Sequence, residues 1–100
     1  LWSSLPVPTL LLGPGDIVED VNPAAEAFLN LSARALRGAP VWDKVMVDTP
    51  LEEAFARARA NQSALVVNDV DVGSGERAPM QCNIQFAHLQ GAEGYMLMMI

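Results

Sequence analysis

Positive charge is scarce in this chain: 6 Lys and Arg face 12 Asp and Glu, leaving a net charge of −6 over 100 residues. Holding a phosphate backbone requires clustered cations that displace counterions, so the composition argues against a nucleic-acid partner. Arg34, Arg37, Arg57 and Arg59 fall on two predicted helices among acidic neighbours and read as solvated faces. Cysteine is rarer still. With Cys82 alone, no internal disulfide can close and no thiolate pair can hold a structural metal, which points to a reducing cytoplasm. No apolar run approaches the ~20 residues that span a bilayer, and no basic leader precedes one, so a soluble domain with no membrane partner is expected.

What is plentiful is apolar surface. At 51% hydrophobic residues, 100 residues suit one compact domain with a single core and leave no room for a second. The chain opens on LWSS without an initiator methionine and stops on the apolar run YMLMMI. Both ends read as cuts, and the expectation is a module taken from a longer protein.

The organising stretch is VNPAAEAFLNLS, Val21 to Ser32. Asn22 stands where apolar alternation gives way to helical spacing, and Pro23 follows at the helical position whose missing amide proton costs nothing. Asn22 is therefore predicted to cap a helix whose apolar stripe is Ala24, Ala25, Phe28, Leu29 and Leu31. Ser32 is predicted to cap a second short helix through Leu36, stopped by Gly38. Thr49, Pro50, Leu51 and Glu52 have the form of a capping box, with Thr49 as cap. The helix it would start carries Leu51, Ala54, Phe55 and Ala58 on one face, pairs Glu53 with Arg57, and ends at Asn61.

Around these helices the period is two. Residues 1 to 8 read as the end of a helix followed by an extended lead-in forced by Pro6 and Pro8, and the domain proper as 9 to 100. Thr9 to Leu12 and Ile17 to Val21 form a hairpin about Gly13 to Asp16. Val41 to Val47 fits either one helical turn or a packed loop. In Ser63 to Val72, Leu65 and Val67 share a face with Asp69 and Asp71, so the inward side is Val66, Val70 and Val72 unless a bulge intervenes. Gly73 to Glu76 is the next turn. From Ala78 to Leu89, Met80, Cys82, Ile84 and Phe86 alternate with Gln81, Asn83 and Gln85, and Tyr95 to Ile100 is apolar throughout. Two strands, the helices, then three strands predict an α+β fold: a five-stranded antiparallel sheet with short helices packed on one face.

No catalytic constellation is present. His88 is the only histidine, near a strand end with no recognisable motif around it, and reads as a surface or sheet-end residue. Cys82 reads as a small buried apolar residue. Glu52 and Glu53 suit a helix start and need no catalytic explanation. No residues lie at metal-ligand spacing. Phe28, Phe55, Cys82 and Ile84 are the side chains that a small pocket between helices and sheet would use, although in a domain this size they read first as plain core.

LPVPTLLL at Leu5 to Leu12, VNPAAEAFLNLS, and LRG at Leu36 to Gly38 together resemble the amino-terminal PAS domain of nitrogen-regulation (NtrB-type) sensor histidine kinases. The resemblance implies a PAS-like sheet with its first and last strands adjacent at the centre. Leu10 to Leu12 and Tyr95 to Ile100 lack a polar face, so both sides of those strands need cover, and the helices provide only one. Leu1, Trp2, Leu5, Leu10, Leu12, Tyr95, Leu97 and Met99 are accordingly the candidates for a dimer or helix-docking surface. The flavin-attaching and haem-ligating motifs of some PAS domains are missing, so no cofactor is expected. By resemblance, the parent would be a homodimeric cytoplasmic kinase with attached kinase domains, a response regulator and a PII-type signal protein as partners, while this fragment would itself be no enzyme. The alternative is a PAS domain that binds a small metabolite or cofactor in another signalling protein.

Overall fold

A computed structural model describes residues 6 to 100. Strand β1 (Thr9–Leu12) turns through a short 3-10 segment, Pro14–Asp16, into β2 (Val18–Val21). Helices α1 (Pro23–Leu29), α2 (Ala33–Leu36) and α3 (Val41–Lys44) follow, then β3 (Val45–Val47), α4 (Leu51–Ala60), β4 (Leu65–Ser74), β5 (Arg77–His88) and β6 (Met96–Met99). The strands make one antiparallel sheet in the order β2-β1-β6-β5-β4-β3, so the first and last strands pair at its centre.

The sheet has six strands where five were expected. The sixth is β3, the second half of the ambiguous segment, three residues long and pairing with the end of β4. So short a strand at a sheet edge leaves little period in the sequence to read.

One face of the sheet carries the core. Leu10, Leu12, Val70, Val72, Ile84, Phe86, Met96 and Met98 meet Ala25, Leu29, Leu36, Val41, Leu51 and Phe55 from the helices, all at 2% exposure or less. Phe55 sits between two aromatic rings. Trp42 meets it edge-on at 4.9 Å between centroids, and Phe86 lies tilted against it at 3.8 Å. These rings occupy the interior between helices and sheet.

A bulge does intervene, and it overturns the inward reading of Val66. β4 and β5 change register between Val67 and Val70, Asp69 takes a left-handed φ of 59°, and its amide donates to Asn83 Oδ1 at 3.1 Å. The extra residue reverses the parity of the strand. Leu65 and Val67 therefore pack on the core beside Val70 and Val72, while Val66, expected inward, is 58% exposed.

Two local expectations need correction. Thr49 does not cap α4: the cap position is Pro50, without a side-chain bond, and the Thr49 hydroxyl donates to Asp48 Oδ1. Asp48 Oδ1 also accepts the Asp71 amide, so the residue before Thr49 is tied to β4 and the helix begins one position later than the capping box implied. Gly73 belongs to β4 rather than to the turn. Its pairing with Met46 lies so close to the β5 backbone that an added Cβ would stand 2.8 Å from the Arg77 carbonyl oxygen.

Candidate functional site

Asn22 is a junction as well as a cap. It is fully buried, and its Oδ1 accepts from the Ala25 amide and from the Thr9 amide, both at 3.0 Å. Its Nδ2 donates to the Val7 carbonyl at 2.9 Å, and its own amide donates to the Thr9 carbonyl at 3.1 Å. A carboxamide offers an acceptor and a donor on separate atoms at one tip, whereas an ionised aspartate can only accept. The side chain thus fastens the lead-in strand to the start of α1. Ser32 does cap α2, accepting from the Ala35 amide at 3.1 Å.

The two ends of the described chain meet here. The Ile100 amide donates to the Pro8 carbonyl at 2.9 Å, so whatever precedes Pro8 and whatever follows Ile100 attach side by side. The face next to this junction is the side of the sheet away from the helices. Cross-strand partners Leu11 and Leu97 lie there, as do Met99 and Ala87, because their neighbours Leu10, Met96, Met98 and Phe86 point into the core. Val7 and Val66 are exposed, and a cleft of about 210 Å³ is lined by Val7, Val66, Asn68, Asn83, Gln85, Met99 and Ile100. The lining combines aliphatic groups with neutral amides and contains no charge, the kind of surface found at the centre of protein interfaces.

The expected docking residues separate in the structure. Leu97 and Met99 lie on the open face. Leu10 and Leu12 do not: both are fully buried against the helices, and Leu11 takes their place. Three successive leucines carry no alternation from which to read the parity. Tyr95 lies just before β6, where its carbonyl accepts the Leu89 amide and closes the β5–β6 connection. Leu1, Trp2 and Leu5 lie outside the described residues.

None of the four candidate pocket residues lines any of the main clefts among the described residues. Phe55 and Ile84 are wholly buried, and Phe28 and Cys82 are partly covered at the margin of the core. Arg77 lies over the Phe28 ring at 5.1 Å. Burial pushes the Cys82 thiol above its ordinary pKa; Arg77 opposes the shift and Asp71 adds to it. Thiolate is therefore scarce at neutral pH. Iodoacetamide at pH 7 is expected to modify Cys82 more slowly than it modifies the unfolded chain, and equal rates would contradict the shift.

A second polar group, absent from the sequence reading, links distant segments. Arg59, in the last turn of α4, donates to Asp16 Oδ1 at 2.6 Å and to the Gly94 carbonyl, while Trp42 Nε1 donates to Asp16 Oδ2 at 2.9 Å. Asp16 and Arg59 are 43 residues apart, and no local signal pairs them. Among the described residues no group of three or more His, Cys, Asp or Glu could hold a metal, and no helix is long and apolar enough to cross a membrane.

Comparison with known proteins places the chain. It is 53% identical over all 100 residues to the sensory histidine kinase/phosphatase NtrB of Rhodobacter capsulatus, and spans 28% of that protein's length. Among solved structures, the PAS domain of nitrogen regulation protein NR(II) from Vibrio parahaemolyticus superposes with a TM-score of 0.74 at 18% identity, covering 98% of this chain and 89% of the other. A domain of a sensory box sensor histidine kinase/response regulator from Geobacter sulfurreducens gives a TM-score of 0.80 at 13% identity, covering 99% and 85%. No protein-family profile matches the chain.

Proposed function

The chain is a PAS domain that resembles the sensor domain of nitrogen-regulation (NtrB-type) histidine kinases, and from that premise we propose that it works by contact. Its open sheet face binds a second copy of itself, and movement at that interface is passed to the segments attached at Pro8 and Ile100. The observation that carries this reading is the uncharged apolar strip of Leu11, Leu97 and Met99 beside the point where both chain ends leave. Leaving such a strip to water costs roughly 25 cal/mol per Å² of apolar surface, and pairing two copies removes it twice. Because the two connections are adjacent, a small rotation between paired domains turns both together, which biases the packing of attached helices.

In the parent kinase, cytoplasmic by this reading, phosphoryl transfer belongs to other domains, and the response regulator and a PII-type signal protein are partners of the whole molecule. The domain itself contributes no reacting group.

Sedimentation equilibrium tests the contact. Leu97→Asp would bury a carboxylate in the interface and should weaken self-association by about tenfold or more, while Gln81→Lys, on the polar part of the same face, should leave it nearly unchanged. A strictly monomeric wild-type chain at millimolar concentration, or equal effects of both substitutions, would overturn the reading.

A further inference from the structure

Strand β3 ends the sheet on the side opposite β2, with no strand beyond it. We propose that this edge, together with the cleft beside it, receives an extended basic segment of a partner protein as an added strand. The site is separate from the open-face contact, because a strand adds in the plane of the sheet rather than on top of it.

The register shows which backbone groups the edge offers. The Asp48 amide donates to the Asp71 carbonyl at 3.2 Å, which makes those two a hydrogen-bonded pair. Bonded and non-bonded pairs alternate along an antiparallel ladder, so Met46 bonds to Gly73, while Val45 and Val47, opposite Ser74 and Val72, turn their polar groups outward. The preceding helix agrees: the Val45 amide donates back to the Val41 carbonyl at the end of α3. The Val45 carbonyl, the Val47 amide and the Val47 carbonyl are left in sequence along the edge, with no hydrogen-bond partner among the described residues. An antiparallel strand laid there would meet all of them.

Exposed edges are ordinarily guarded by a charge, a proline or a bulge within the strand, and Val45–Val47 has none of these. Its shortness is the remaining guard, and it means that side-chain contacts must supplement the backbone bonds. A cleft of about 470 Å³ provides them. Trp42, Val47 and Pro50 give it apolar surface, and Asp48 and Glu52 give it negative charge, with no cation in the lining. Neither carboxylate is in an ion pair among the described residues. Apolar walls with two unneutralised carboxylates suit a strand that alternates aliphatic and basic side chains, since lysine and arginine stems cover apolar surface while their heads reach the charge. A second copy of this chain fits poorly, because it would bring its own Asp48 and Glu52 to the same place.

Titration of isotope-labelled protein with an end-blocked hexapeptide of alternating lysine and valine tests the proposal. The Val47 amide should shift saturably and gain protection from hydrogen exchange, while the Met46 amide, already bonded to Gly73, should move far less. The same peptide methylated on every backbone nitrogen should bind at least about tenfold more weakly, and one of alternating glutamate and valine should not bind. Glu52 is exposed, and Glu52→Gln should keep the backbone spectrum while weakening the lysine peptide at least about threefold. Leu97→Asp, on the other contact surface, should leave peptide binding unchanged. An unmoved Val47 amide at ~2 mM peptide, equal binding of the methylated or acidic peptide, or unchanged affinity in Glu52→Gln would each overturn the proposal. So would a Val47 shift that follows protein concentration without peptide, which would give the edge to a second copy.

Discussion

Replacing Asn22 by alanine is expected to remove ~2–4 kcal/mol of folding stability, from the loss of an N-cap together with buried partners left unmet. The cap bond to Ala25 alone accounts for about 1 kcal/mol. The rest arises because the Thr9 amide would lose its acceptor in a fully buried setting. The Val7 carbonyl would suffer less, since it also accepts the Thr9 hydroxyl at 2.8 Å. For a domain of this size the melting temperature should fall by roughly 10–25 °C, a large share of the ~5–15 kcal/mol that such domains possess. Asn22→Asp separates the contributions. An aspartate keeps both acceptor bonds but buries a charge and turns an oxygen on the Val7 carbonyl, so the change, nearly free at an ordinary cap, should here cost at least about 1 kcal/mol. Chemical denaturation of both variants decides the matter: a loss of only about 1 kcal/mol in Asn22→Ala and almost none in Asn22→Asp would mean that Asn22 is an ordinary cap.

Phe55→Ala should cost more, about 3–5 kcal/mol, since it removes a fully buried ring and leaves a cavity between Trp42 and Phe86. The loss would exceed the transfer cost of the ring because both aromatic contacts vanish with it. Phe55→Leu conserves most of the volume and should cost less than about 1.5 kcal/mol. If alanine were tolerated as well as leucine, the interior would have to be loose enough to collapse, or open enough to hold the ligand that the sequence offered as an alternative. Denaturant midpoints measured with a constant slope distinguish the outcomes.

Much of the fold was legible where a local rule and the tertiary structure agree. Asn22–Pro23 and Ser32 mark helix starts that the structure keeps, and the Leu51, Phe55, Ala58 stripe faces the core as its spacing requires. Glu53 and Arg57 also approach as expected, at 3.6 Å, although so exposed a pair contributes little. Local rules failed where a long-range contact decided. Asp48 is claimed by the Asp71 amide, and the capping box at Thr49 gives way. Asn83 supports the bulge at Asp69, which exposes Val66. The short β3 exists because the end of β4 pairs with it, and Leu10 to Leu12 acquire a parity only from their register with β6.

The candidate sites follow the same division. That β1 and β6 lack a polar face was visible in the sequence; which of their residues face outward was not. Asn22 announced itself as a cap, whereas its hold on Val7 and Thr9 depends on the return of β1 beside it. The Asp16–Arg59 pair joins a turn to a helix end, segments that only the folded chain brings together.

The contact role of the open sheet face is tested most directly by isotope-filtered cross-relaxation in a mixture of two differently labelled copies. Methyl groups of Leu11, Leu97 and Met99 are expected to show cross-peaks to the other copy, and those of Leu10, Leu12, Met96 and Met98 none. Intermolecular contacts confined to the helical side, or their absence at a concentration where the chain is dimeric, would contradict it.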